Sequence, residues 1–216
     1  MKALVIGATG ATGKDLVNLL LEDASFERVD VFVRREVAAS SPRLKVHVVD
    51  FDHVGEWAHL LTGDVLFSCL GTTIRAAKSR EAQWKVDFTY QLESAREARR
   101  NGVPRYVLVS SIGANPKSGV FYTKMKGRLD EEVVKLGFPG CFILRPPSLV
   151  RKDSDRFGEK VSVAVLKGLN RIGLLRSLRP MDTEELAAAM VALAKEGGEG
   201  TRIIESQDIL DIIPAR

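Results

Sequence analysis

A short apolar run at residues 3–6 meets three glycines at even spacing, Gly7, Gly10 and Gly13, and a helical apolar pattern at 16–21 follows at once. Strand, tight turn and helix make half of a βαβ unit, and that narrows the folds open to the chain. Missing side chains at the three glycines let backbone N–H groups and a helix N-terminus approach a pyrophosphate. Thr12 could add its hydroxyl to the same phosphate. A turn that is merely tight is the bland alternative. The triplet follows a strand, opens a helix and heads an alternating pattern, and this context favours the phosphate reading.

The alternation continues. Runs at 29–33, 44–49, 65–70, 106–109 and 141–144 have strand length and strand composition. Between them, residues 80–100 carry Trp84, Phe88, Leu92 and Ala95 among charges, a long amphipathic helix that Asn101-Gly102 ends. A second such helix spans 121–136, with Gly137 as its stop. Nearly continuous apolar strands alternating with helices call for an α/β fold: a doubly wound, mostly parallel Rossmann-type sheet with helices on both faces. After Pro147 the pattern loosens. A segment at 148–180 is expected to form a lid on the substrate side, followed by a helix at 181–195 and a short strand at 202–204. No linker or repeat divides the chain, so 1–216 reads as a single domain.

Composition limits the function classes. With 45% hydrophobic residues in 216, the chain can bury a full core. Its two cysteines, Cys69 and Cys141, sit in apolar runs, which argues against a disulfide framework and for a reducing compartment. The expectation is a cytoplasmic protein, since the N-terminal apolar run is too short for a signal segment and no window approaches a membrane span. The net charge of +4 mixes 28 acidic with 32 basic side chains, so neither a nucleic acid nor a membrane is an expected partner. His47, His53 and His59 lack ligand spacing for a metal.

A pocket for NAD carries Asp or Glu at the end of strand two, roughly 20 residues past the glycines, to accept the ribose hydroxyls. Arg34 and Arg35 stand there instead. A guanidinium favours a 2′-phosphate by charge and bidentate hydrogen bonding, which points to NADP(H); two solvated arginines at a strand end are the alternative. Asp50, ending strand three, could accept from the adenine amino group with Phe51 beside the ring, or could be a loop carboxylate.

Tyr122 and Lys126 lie four apart on one helix face, and Ser110 and Ser111 close strand five. All would converge on the crevice outside the carboxyl ends of the strands. Tyrosine is a poor acid near neutral pH, and a lysine ammonium favours its phenolate. The arrangement suits carbonyl reduction, with Tyr122 giving a proton to the oxygen, a serine hydrogen-bonding it and Lys126 activating Tyr122. The cofactor would be NADP(H) and the partner a small-molecule carbonyl substrate.

Gly7-Ala8-Thr9-Gly10-Ala11-Thr12-Gly13, Ser110-Ser111 and the Tyr122 to Lys126 spacing resemble the extended and atypical branches of the short-chain dehydrogenase/reductase superfamily. Asp50-Phe51, Cys69-Leu70-Gly71-Thr72-Thr73, Val86-Asp87, Ser110-Ser111-Ile112-Gly113-Ala114 and Lys126-Gly127 are similar to the Tat-interacting-protein family of small NADP-binding reductases. The similarity runs from residue 1 to about 150. It implies a seven-stranded core, Thr9, Gly10, Ala11 and Thr12 on the pyrophosphate, Arg34 and Arg35 on the 2′-phosphate, and Leu70, Gly71 and Thr72 along the cofactor. It also implies that Tyr122 and Lys126 are catalytic, with Ser111 preferred over Ser110 as their partner. Pro147 departs from the Arg-Pro-Gly often found after strand six.

Members of this branch include nucleotide-binding regulators, so a protein that binds NADP(H) without turnover is the competing expectation. A nucleotide-sugar epimerase ranks last, because about 70 residues after strand six leave little room for a sugar-nucleotide domain. The lid contains Arg151, Lys152, Arg156, Lys160, Lys167, Arg171, Arg176 and Arg179, which could hold an anionic substrate group or form a solvated face. The helices at 80–100 and 121–136 could pair in a homodimer.

Overall fold

The computed structural model describes residues 1–38, 41–150 and 180–213. In chain order, β1 (Lys2–Ile6), α1 (Ala11–Glu22), β2 (Arg28–Val33), β3 (Leu44–Val48), α2 (Val54–Trp57) and β4 (Val65–Ser68) form the first half. The second contains α3 (Ile74–Ala77), α4 (Arg80–Trp84), α5 (Tyr90–Arg100), β5 (Arg105–Val109), α6 (Phe121–Lys135) and β6 (Gly140–Arg145). A two-residue strand β7 (Leu149–Val150), its partner β8 (Met181–Asp182), α7 (Thr183–Glu196) and β9 (Gly200–Glu205) close the described chain.

The main sheet has seven strands in the order β3-β2-β1-β4-β5-β6-β9, every pair parallel. The chain winds outward from β1 to β3, then returns to lay β4 on the other side of β1. That reversal is the topological switch point, where the carboxyl ends of β1 and β4 diverge into a crevice. This is the doubly wound architecture expected from the alternation.

Side chains alternate along each strand, and both faces are covered. Ala3 and Val5 pack with Leu16 and Leu20 of α1 and Leu186 and Met190 of α7. Leu4 and Ile6 face the other way, with Leu92 and Ala95 of α5 and Leu129 and Val133 of α6. Two-sided burial is why the strands read as unbroken apolar runs. Removing a side chain such as Leu4 from water contributes about 1.5–3 kcal/mol. At the edge of the first layer, Thr183 Oγ1 donates to Asp15 Oδ2 at 2.6 Å, fixing α7 against α1.

Four elements differ from expectation by more than one residue at an end or by a break. Residues 80–100 form α4, a π-helical turn at Lys85–Thr89, then α5. The apolar spacing of four (Trp84, Phe88, Leu92) exceeds 3.6 residues per turn, and a wide turn accommodates it. β4 stops at Ser68, so Cys69 lies just past the strand and is half-buried. The last helix begins at Thr183, because Met181 and Asp182 pair with Leu149 and Val150 and Asp182 then forms a capping box with Glu185. β9 is longer than its apolar pattern: it is the sheet edge, with residues 200–203 exposed.

The β7–β8 pairing brings the two ends of the 148–180 segment side by side. Residues 151–179, with all eight basic side chains assigned to the lid, lie outside the described residues. Among the described residues no helix is long and apolar enough to cross a membrane.

Candidate functional site

The glycine turn leaves β1 at the switch point. Gly7 has φ +84°, and a Cβ there would lie 2.4 Å from the carbonyl carbon of Cys69. A Cβ on Gly13 would lie 2.1 Å from the Gly7 oxygen. Both positions are closed by neighbouring backbone, so their glycines are required by the protein's own packing. At Gly10 a Cβ would meet only the Gly7 and Cys69 oxygens, at 3.3 and 3.9 Å. Gly10 is also the N-cap of α1, and the helix starts with no capping side chain and no acidic residue in its first turn. Its first N–H groups and the positive end of its dipole are therefore left for an anion. Thr9 and Gly10 are exposed, Ala11 is half-buried and Thr12 is buried. This cradle fits a dinucleotide pyrophosphate.

Arg34 and Arg35 leave β2 exposed to solvent. Nearby, Asp50 accepts from the Asp52 N–H at 2.9 Å and pairs with His53 Nδ1 at 2.8 Å. That N–H, followed by His53, holds the Asp50 carboxyl below its ordinary range, and Asp50 in turn raises His53. Phe51 belongs to the core, 4% exposed, with its ring 5.4 Å from Trp57 and 5.5 Å from Tyr90. The 3₁₀ turn at Phe51–His53 turns the ring inward and leaves Asp50 exposed. Tyr90 donates its hydroxyl to Asp52, which also binds Lys85 at 2.7 Å. Burial, then Asp52, push the Tyr90 phenol up, and the nearby Arg34 charge opposes them.

Leu70 and Thr72 are half-buried and Gly71 is exposed, in the loop that follows β4. The helix behind them holds this loop through Gln83, Asp87 and Gln91. Sequence reasoning gave Asp87 no role and missed both glutamines; their one signal is three polar residues spaced by four on an otherwise apolar face. Cys69 precedes the loop, and burial pushes its thiol up to about 12.

The two serines differ sharply. Ser110 is 3% exposed and donates to Asp130 Oδ1 at 2.7 Å, while Arg145 Nε binds the other Asp130 oxygen at 3.0 Å. Burial raises the Asp130 carboxyl, and Ser110 and Arg145 oppose that rise. Arg145 also reaches Glu205 at 2.9 Å, so this network ties β5, α6, β6 and β9 together. Ser111 is half-buried, and among the described residues its hydroxyl makes a 3.3 Å bond to the Ile112 oxygen.

Lys126 is 2% exposed on α6 and donates to the Val109 oxygen, at the carboxyl end of β5, at 3.1 Å. Gly127 lets the loop after β5 pass against α6: a Cβ there would lie 2.3 Å from the backbone of Asn115 and Pro116. Tyr122, one turn earlier, is 36% exposed. Ser111 lies on the loop that follows β5, and Tyr122 and Lys126 lie on α6. Among the described residues, no group of His, Cys, Asp and Glu could hold a metal ion.

A phosphate-binding turn at the switch point of a doubly wound parallel sheet defines a dinucleotide-binding protein. The chain belongs to the NAD(P)H-binding family, whose model matches residues 7–168. It is 34% identical to Protein FMP52, mitochondrial, of Saccharomyces cerevisiae, over 98% of this chain and 96% of that one. The Candida albicans protein of the same name is 30% identical over 93% and 90%. Solved structures share the fold at low identity. MoeE5 in complex with UDP-glucuronic acid and NAD has a TM-score of 0.74 at 16% identity, covering 95% of this chain and 76% of that one. A short-chain dehydrogenase from Burkholderia cenocepacia in complex with NADP gives 0.69 at 18%, covering 97% and 91%. The fold is thereby the one expected, shared with a short-chain dehydrogenase. The cytoplasmic location is overturned, because the curated relatives carry a mitochondrial location in their names.

Proposed function

We propose that the chain is an NADP(H)-dependent reductase of small carbonyl compounds. The observation that carries this reading is the buried Lys126 ammonium, held on the Val109 oxygen at 3.1 Å on the same sheet edge as the uncapped start of α1. Arg34 and Arg35, exposed at the end of β2, would grip a 2′-phosphate. NADPH, when bound, supplies the hydride that reduces the carbonyl carbon. Tyr122 gives its proton to the carbonyl oxygen, and Ser111 Oγ donates a hydrogen bond to the same oxygen. The charge of Lys126 stabilises the phenolate left on Tyr122. The location we propose is mitochondrial, as in the names of the fungal relatives.

Tyr122→Phe tests the chemistry. Consumption of NADPH with a panel of aldehydes, ketones and enones should fall by about 10²-fold or more, with NADPH affinity nearly unchanged. A variant that turns over as fast as the parent would remove Tyr122 from the mechanism. A parent that binds NADPH and reduces no carbonyl would favour a nucleotide-binding regulator.

A further inference from the structure

Two stretches that border Tyr122 are one-sided in charge. Over the whole chain 32 basic side chains are balanced by 28 acidic ones, yet residues 71–80 and 111–129 hold seven Lys and Arg and no Asp or Glu. A charged face built for solvation alone ordinarily mixes both signs. Lys126 is the buried member of the seven; Arg75, Lys78, Arg80, Lys117 and Lys124 are exposed. Arg75, Lys78, Lys117 and Lys124 form no ion pair among the described residues, and Arg80 acts on Glu81, its neighbour in sequence.

Contacts place these cations beside the start of α6. The short helix α3 follows directly on the Leu70–Thr72 loop, and α4 begins three residues after α3 ends. The Arg80 guanidinium of α4 lies over the Phe121 ring of α6, 5.4 Å from its centre, and the rings of Phe121 and Trp84 are 6.2 Å apart. The first turns of α4 and α6 therefore meet one residue from Tyr122. An arginine resting on a ring face keeps the N–H groups at its edge for another partner. Ile74 and Val120, 46% and 63% exposed, stand next in sequence to Arg75 and Phe121 and add apolar surface to the same rim.

Lys78 is an independent observation. Its φ is +74°, and among the described residues it is the one non-glycine in the left-handed region. It closes α3 with its N–H on the Ile74 oxygen at 2.7 Å, a position that glycine fills without steric cost. A lysine held there against the preference of the backbone argues for a use of its side chain.

We propose that the rim between α3 and the start of α6 binds a carboxylate carried by an otherwise apolar carbonyl substrate, with Lys78 and Arg80 as its principal contacts. This deepens the reading of Tyr122 as proton donor and rests on it. Cations without an internal partner give up no ion pair when the anion arrives, a guanidinium meets a carboxylate with two hydrogen bonds, and the summed field draws the anion toward the rim.

The test uses 4-acetylbenzoate and its methyl ester, one ketone with and without the charge. Each is titrated calorimetrically into the protein saturated with NADP+, which has no hydride to give. The acid should bind about tenfold more tightly than the ester or better, and that preference should shrink as salt is raised. Lys78→Gly and Arg80→Gln should each bring the acid-to-ester ratio down toward one, and Lys78→Gly should melt no lower than the parent because glycine suits its φ. In turnover with NADPH the loss should appear in KM for the acid. A parent that binds acid and ester alike, a parent that binds neither ketone, or folded variants that keep the parent's preference would overturn the proposal. A protein that binds the acid in this pattern and reduces neither ketone would sink the reductase reading and leave the carboxylate site standing. One that reduces both ketones equally well would keep the reductase reading and remove the site.

Discussion

Ser110→Ala and Ser111→Ala remove the same atom from adjacent residues and should have opposite consequences. The Ser110 hydroxyl is buried and gives a 2.7 Å bond to a carboxylate that Arg145 also holds. A buried hydrogen bond to a charged group contributes about 1.5–3 kcal/mol. For a chain of this size each kcal/mol moves the melting temperature by about 2–4 °C, so Ser110→Ala should melt about 3–12 °C lower. The deficit depends on pH. Asp130 has a raised carboxyl, so the native state holds its proton into a higher range than the unfolded chain does, and the charge-assisted bond is complete only above that range. The loss should therefore be larger at pH 8 than near pH 4. Ser111→Ala, with only a 3.3 Å bond to lose, should melt within about 1 °C of the parent and lose turnover. Melting by circular dichroism with NADPH oxidation in parallel reads both. Equal melting of the two variants, or lost turnover in Ser110→Ala alone, would refute the division of roles.

Gly13→Ala places a methyl 2.1 Å from the Gly7 oxygen, so α1 must back away from β1; we expect about 1–3 kcal/mol of destabilisation in urea titrations and weaker nucleotide binding. Asp23, held near 2 by Lys195 at 2.7 Å, has a depressed carboxyl, so its contribution is present above 3.8 and lost as pH falls toward 2. The pair is partly solvent-exposed, and Asp23→Asn should cost under about 1 kcal/mol at pH 7 in the same titration. Cys69 and Cys141, with thiols pushed up to about 12 by burial, should resist alkylation at pH 8 until the chain unfolds, as mass spectrometry would show.

The sheet was legible because both of its faces are buried, which prints each strand as an apolar run, and because the glycine turn announces the switch point. The structure gives Gly7 and Gly13 a packing role that the pyrophosphate reading did not name: the Cβ position of Gly13 is filled by backbone of the turn, and that of Gly7 by Cys69 and Leu70, far along the chain. The Ser110–Ser111 choice was half legible, since the strand exit was visible while Asp130, twenty residues on, was not. The inward roll of Phe51 follows from its packing on Trp57 and Tyr90, and no short-range pattern states it. The π turn escaped because an apolar spacing of four looks like a slightly irregular α-helix. With it escaped Gln83 and Gln91, and any role for Asp87, whose partners lie 15 and 39 positions away at Thr72 and Lys126.

The central claim is that the turn after β1 and the arginines after β2 together hold NADP(H). Calorimetric titration of the purified protein with NADPH and with NADH, repeated for Arg34→Ala and Arg35→Ala, tests it directly. NADPH should bind more tightly than NADH, and losing either guanidinium should erase most of that difference while leaving NADH affinity nearly unchanged. Equal binding of the two nucleotides, unaffected by either substitution, would contradict the 2′-phosphate assignment, and no binding of either would contradict the account as a whole.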